Sequence, residues 1–296
     1  MKLSYTIKEN ENFDNIKEVL KVHFGISNRL MLKLKTNNKL YLNGNIAKTY
    51  TPVKPNDLVE ADLEFVEDNS NIVPTKMNLN IIYEDECMLV INKPAGYPVH
   101  PSMLHYTDSI SNGVKYYFDT LGLNKKIRPV NRLDRDTSGL VIFAKNEYVQ
   151  ENLIKQMEKK AFQKEYIALC EGRFEQEKGT INAPIARKSN SIIERCVDSS
   201  GDSAITHYDV LNYNGKFSTV HLVLETGRTH QIRVHMAYIG HPILGDTLYG
   251  NASNLIDRQA LHSCKISFIH PVTRKKMEFV APTPADFIKS EKSVEN

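Results

Sequence analysis

The chain has 296 residues, 41% of them hydrophobic and 25% charged, which is enough apolar material for two cores and excludes a disordered protein. Lys and Arg number 38 against 35 Asp and Glu, so the net charge of +3 permits an anionic partner without demanding one. Cys87, Cys170, Cys196 and Cys264 form no C-x-x-C pair, which argues against zinc, and the lack of a signal-like start or long apolar run predicts a soluble cytoplasmic protein with no membrane partner.

From the N-terminus, Ile16, Val19, Leu20 and Phe24 recur at helical spacing, followed by Leu30, Leu32 and Leu34 among Arg29, Lys33, Lys35 and Lys39. Two short helices with basic flanks are expected. Leu40-Tyr41-Leu42-Asn43-Gly44-Asn45 reads as a strand entering a turn, and Pro55-Asn56-Asp57 as a second turn before a strand around Val59 to Val66. Polar residues and Pro74 dominate from Glu67 to Asn78, the composition of a linker. A small N-terminal α/β unit with its linker, residues 1–75, is therefore expected ahead of a larger unit, residues 76–296.

In the larger unit, strand-like runs fall at 81–83, 88–92, 140–145, 163–171, 204–212, 217–225, 260–269 and 276–281, with helices over about 109–122, 147–160 and 229–239. Strands outnumber helices and adjoin one another, which predicts an α+β domain around a mostly antiparallel mixed sheet. Neither a G-x-G-x-x-G nor a P-loop pattern occurs.

Asn131 to Leu140 crowds two carboxylates, two guanidiniums and a glycine ahead of the apolar run Leu140-Val141-Ile142-Phe143-Ala144. This places a charged turn at the edge of a sheet, within reach of a substrate, with Asp134 the first candidate for chemistry. The same residues also suit a solvated turn whose Asp, Thr and Ser cap backbone groups. In Thr226 to His235, Thr229 is positioned to cap a helix that turns Ile232, Met236 and Ile239 to the core. Arg233 then lies near the rim, where it can pair with a buried carboxylate and keep it charged. His230 and His235, five residues apart, fall on different faces and make no metal pair. Strand alternation puts Tyr166 with Lys164 and Ala168, which fits a cross-strand packing tyrosine as well as a site. Asn92 to Pro101 is a shaped Pro- and Gly-rich loop, structural or functional.

In order, the Lys93 to Pro101 loop, Arg132-Leu133-Asp134 with Thr137-Ser138-Gly139-Leu140, Lys164-x-Tyr166-x-Ala168, and Thr226 to His235 continuing through Gly240 to Asp246 resemble the RluA/RluD-type pseudouridine synthases. Weaker blocks follow at Ala260-Leu261-His262 and His270-Pro271-x-Thr273, so the resemblance covers about residues 79–288. It implies isomerisation of uridine to pseudouridine in structured RNA, with Asp134 the catalytic carboxylate, Tyr166 packing on the target base and Arg233 the basic partner of the aspartate. It further implies Arg132 supporting a flipped nucleotide, with Arg228, His230, Lys93 and His100 as further RNA-binding residues, and no cofactor or metal. One departure is Asn131, where most relatives carry His. The N-terminal unit resembles, through Ser27-Asn28-Arg29 and Tyr41-Leu42-Asn43-Gly44, the alpha-L RNA-binding module of ribosomal small-subunit proteins. A docking unit without RNA contact is the other reading of it.

Large-subunit ribosomal RNA is the implied substrate class, ahead of transfer RNA, and a monomer suffices for the chemistry. A catalytically silent RNA-binding or ribosome-assembly protein is the rival, against which the joint presence of Asp134, Tyr166 and Arg233 argues. A glycosidase pair of Asp134 and Asp136 is disfavoured, because residues two apart cannot flank a glycosidic bond from opposite sides.

Overall fold

The computed structural model describes residues 1–295. Its first unit comprises β1 (Lys2–Thr6), α1 (Ile16–Val22), α2 (Asn28–Thr36), β2 (Leu40–Leu42), β3 (Asn45–Ile46) and β4 (Leu58–Asp62). The two helices form where the apolar spacing placed them. Asn15 and Ser27 cap them, each side chain accepting a backbone N–H of the first turn. Strand order is β1-β4-β2-β3, all antiparallel; β1, which the sequence reading missed, pairs along β4.

The stretch expected to be a linker is instead a packed strap. Glu67 receives two hydrogen bonds from Arg128, at 2.6 and 2.7 Å, and one from Lys33 at 3.0 Å. Burial would raise its carboxyl, but Arg128 and Lys33 prevail and hold it down to about 2. Ile72 is buried with Phe118 and Ile127, and the Asn112 side chain donates to the Val73 carbonyl at 2.8 Å. Polar composition marked the strap's surface and concealed these anchors.

The second unit runs β5 (Ile81–Glu84), β6 (Met88–Lys93), α3 (Ile110–Thr120), β7 (Arg128–Pro129), β8 (Ser138–Ala144), α4 (Glu147–Glu158) and β9 (Gln163–Glu171). It continues with β10 (Lys178–Asn182), β11 (Ile185–Arg187), β12 (Arg195–Val197), β13 (Ile205–Tyr213), β14 (Phe217–Leu224), α5 (Gln231–Tyr238), β15 (Leu261–Ile269), β16 (Lys276–Val280) and α6 (Ala285–Glu295). The expected strands and helices are all present; β7, the short β10 to β12 and α6 are additions. A ten-stranded sheet has the order β10-β13-β14-β9-β15-β8-β6-β5, with β16 beside β15 and β7 beside β8. Every pairing in it is antiparallel except that of β8 with β15. The fold is α+β around a mostly antiparallel mixed sheet.

β8 is interior, so the charged turn sits at the end of a central strand and not at a sheet edge as expected. Both faces of the strand are covered, which explains its unbroken apolar run. Val141 and Phe143 join Val114 and Phe118 of α3, while Leu140 and Ile142 join Val149 and Leu153 of α4. Gly139 makes the parallel junction possible. Its φ is +113°, and a Cβ there would lie 2.2 Å from the Ser263 carbonyl oxygen. Among the described residues no helix is long and apolar enough to cross a membrane.

Candidate active site

The turn carrying Asp134 is built as an extension of the sheet. Beyond β7, Val130 N donates to Ile142 O at 2.7 Å. The Asn131 side chain then takes the next rung, accepting from Ile142 N at 2.9 Å and donating to Leu140 O at 3.0 Å. A buried amide imitating a peptide group needs no titratable ring, which accounts for Asn at this position. Thr137 N closes the turn on Asp134 O at 3.2 Å. Asp136 pairs with Arg135 at 2.9 Å, and Ser138 Oγ lies 2.9 Å from His262 Nδ1, so both build the turn.

Lys93 requires a correction. The expectation placed it on RNA, yet it is fully buried, and its ammonium donates to the carbonyls of Pro94, Tyr97 and Arg135 at 2.9, 2.7 and 2.8 Å. Burial pushes it down to about 7, but three carbonyl acceptors call for all three ammonium protons. Gly96 N also donates to Arg135 O, at 3.0 Å. Lys93 thus ties its own loop to the turn and has no surface left for a nucleic acid.

Arg233 comes from α5, whose start also differs from expectation. The capping position is His230, in the left-handed region at φ 57°, with no side-chain cap, and Thr229 is exposed. Gln231, the first helical residue, braces the preceding turn instead: its Oε1 accepts from Thr226 Oγ1 at 2.8 Å and from Arg228 N at 2.9 Å. Arg233, 7% exposed, donates through Nε and Nη2 to Asp246 at 2.7 and 2.8 Å, and through Nη1 to Asp134 Oδ2 at 3.1 Å. Burial opposes its charge, but the two carboxylates outweigh burial and raise the guanidinium above its ordinary value. Asp246, 1% exposed, was not singled out from the sequence; its signal was a carboxylate behind a Gly turn, which spacing alone does not pair with Arg233.

Around Asp134 Oδ2 lies a cleft of about 370 Å³, lined by Arg132, Tyr166, Arg228, His230 and Arg233 with apolar walls from Leu224 and Leu261. Tyr166 is 5% exposed, and burial pushes its phenol above the usual value. It is a neutral ring at pH 7, suited to packing on a base and not to standing as a phenolate. His230 Nε2 sits 3.8 Å from Asp134 Oδ2, and its Nδ1 is 2.8 Å from the Tyr249 hydroxyl. Burial lowers this histidine, Asp134 opposing, so it enters the cleft as a neutral group.

Arg132 and Arg228 are exposed at the mouth, Arg228 reaching Ser203 O at 3.1 Å and Asp202 at 3.4 Å. His100 is exposed, with Nδ1 3.1 Å from Ser111 Oγ; it does not line the cleft. Asp85, Cys87 and His270 cluster elsewhere. There His270 Nδ1 accepts from Val272 N and Thr273 N, so Nε2 carries the hydrogen facing Asp85 at 2.9 Å and offers no lone pair to a metal.

The cleft thus brings together a carboxylate held by a buried arginine and a buried, neutral tyrosine, next to the one parallel pairing of the large sheet. The model of the RNA pseudouridylate synthase family matches residues 87–238. A Bacillus subtilis (strain 168) protein described as uncharacterized RNA pseudouridine synthase YhcT is 43% identical over 86% of this chain and 82% of its own. Ribosomal large subunit pseudouridine synthase D of Vibrio cholerae is 34% identical over 97% of this chain and 93% of its own. Among solved structures, human RNA pseudouridylate synthase domain containing 1 superposes with a TM-score of 0.58 at 28% identity, covering 70% of this chain and 84% of the human one. The chain belongs to the RNA pseudouridylate synthase family, enzymes that isomerise uridine to pseudouridine in RNA.

Proposed function

We propose that this enzyme acts on large-subunit ribosomal RNA, with Asp134 as the catalytic carboxylate, Tyr166 as the ring that packs on the target uracil and Arg233 as the partner that orients the aspartate. The observation that carries the reading is the contact of 3.1 Å between Arg233 Nη1 and Asp134 Oδ2 inside a cleft that Tyr166 also lines. The relative named for the large ribosomal subunit supports that class of RNA.

The reaction breaks the bond from ribose C1′ to N1, turns the uracil and forms a bond from C1′ to C5; C5 gives up its proton and N1 takes one up, so the change is a net isomerisation. Asp134 serves either by attacking C1′ or by removing the 2′ proton to give a glycal; both routes need one carboxylate beside the sugar and no cofactor. Arg233 orients that carboxylate through its bond to Oδ2. The target nucleotide leaves its stack to enter the cleft, and Arg132, next to Asp134 at the mouth, supports the opened RNA while Arg228 takes phosphate. His230 and His100 complete the RNA-facing surface. The N-terminal unit acts as an alpha-L-type module that docks RNA, and the enzyme works as a monomer in the cytoplasm, one chain supplying every residue of the cleft.

The test is a pseudouridine map of ribosomal and transfer RNA from cells carrying the wild-type enzyme, Asp134→Asn, or none. A large-subunit site missing in the last two supports the reading. Sites lost only from transfer RNA would reassign the substrate, and a full map with Asp134→Asn would remove Asp134 from the chemistry.

A further inference from the structure

Lys93 holds the turn after Asp134 from one side; a second, partly buried cation holds it from the other. Arg258 Nη1 donates to Asp136 O at 3.1 Å, to Gln259 O at 3.0 Å and to Leu261 O at 3.2 Å, and Nη2 reaches Ser138 Oγ at 3.3 Å. Successive carbonyls of the turn, Arg135 O and Asp136 O, are therefore each taken by a different cation. Arg258 is itself held by Asp286 in the first turn of α6, at 2.7 Å from Nε and 3.0 Å from Nη2. The guanidinium also lies 5.3 Å from the centre of the Phe287 ring. Phe287 is 1% exposed in the core around Leu261, and Ser290 Oγ donates to Leu255 O at 3.0 Å, so α6 is anchored at two further points.

We propose that Arg258 and Asp286 are positioning residues for catalysis: the C-terminal helix α6, through this pair, sets the backbone of the Asp134 turn and hence the direction of its carboxylate. Neither residue lines the cleft, so neither reaches a nucleotide bound there. The chemistry is sensitive to such a device, because displacing a reacting group by about 1 Å costs on the order of 100-fold in rate. A guanidinium suits the task better than an ammonium, since its fork reaches Asp286 with two donors while a third nitrogen takes the carbonyls. The inference rests on Asp134 being the catalytic carboxylate.

The experiment compares wild type, Arg258→Gln, Asp286→Asn, the double variant, Arg258→Lys and Asp134→Asn in single-turnover tritium release from 5-tritiated uridine in transcribed large-subunit RNA, with rates normalised to folded protein by urea titration. The expected result is a maximal rate at least fivefold lower for Arg258→Gln and Asp286→Asn, with half-saturating RNA concentration within threefold of wild type. Arg258→Lys recovers less than half of the loss, and the double variant is no slower than Arg258→Gln, because the two residues act as a unit. Asp286, on an exposed helix face at 40% side-chain exposure, provides the variant that folds if Arg258→Gln does not. A normalised rate within fivefold of wild type in both single variants, or a loss confined to RNA affinity, overturns the proposal. If Asp134→Asn itself turns over normally, the assignment of Asp134 fails instead, and the two failures are thereby distinguished.

Discussion

At the floor of the cleft every charge is answered: Arg233 is 7% exposed, and its donors reach Asp246 and Asp134. At the mouth, Arg132 is exposed and pairs with no carboxylate among the described residues, and Arg228 reaches a carboxylate only at 3.4 Å, that of Asp202, beside its bond to Ser203 O. All three guanidinium nitrogens of Arg233 are engaged, so the floor is saturated in carboxylate contacts and favours one geometry. The mouth has donors to spare, which on the proposed reading lets it take phosphate in more than one arrangement, as a large folded substrate needs. Reaction and recognition are thus separated by burial within a few residues of chain.

Substitutions can break this contrast at either end. The largest effect belongs to Asp134→Asn, expected to lower the rate of tritium release by about 1,000-fold or more while RNA affinity in a filter-binding assay stays within about threefold. Next is Asp246→Asn, which leaves Arg233 buried against one carboxylate; a loss of about 3–5 kcal/mol is expected in urea unfolding, together with a fall in turnover. A mutant as stable as wild type would show that the floor is not saturated.

His262, under the turn, extends the contrast to pH. Burial lowers its ring from 6.5 to about 4, so between these values the unfolded chain binds a proton that the folded one refuses. Stability therefore rises with pH across this window and is lost on acidification from 6.5 toward 4, by up to about 3 kcal/mol. His262→Gln should flatten that part of the profile in urea titrations at pH 7 and 4.5; an unchanged slope would assign it to other groups. Smallest is Arg132→Ala at the mouth, where affinity should fall by about 1 kcal/mol and the slope of log affinity against log salt should shrink by about one, with the rate at saturating RNA nearly retained.

What could be read in the chain follows the same division. Asp134 was visible because its turn crowds charge against an unbroken apolar run, and Arg233 because it stands beside the helical triplet Ile232, Met236 and Ile239. Their meeting depends on pairings across 99 residues, which no local pattern encodes. Lys93 was misread because a lysine in a loop looks like a surface cation until its three carbonyl partners are in place. Glu67 and Ile72 were misread in the same way, since a strap anchored by one acid and one apolar residue has the composition of a tether. Thr229 has the right chemistry for a cap and the wrong position, since the capping position falls on His230 and Gln231 folds back only to brace the turn before the helix. The α+β class survived all of these errors because it depends on the number and adjacency of strands, not on any one residue.

The single parallel pairing of the large sheet has a consequence for how the protein is made. It joins Ser138 and Gly139 to His262 and Ser263, so β8 finds its partner only after more than a hundred further residues have been added. Contacts this distant in sequence close late, since the entropy of the intervening chain must be overcome before they form. Synthesis runs from the N-terminus, so the first unit and the strap can fold while β15 is still to come. A chain released before Asp286 would carry Asp134, Tyr166, Arg233 and all of β15, yet lack the helix whose carboxylate holds Arg258. The turn of Asp134 thus gains its last holding contacts only after the strands around it have been made.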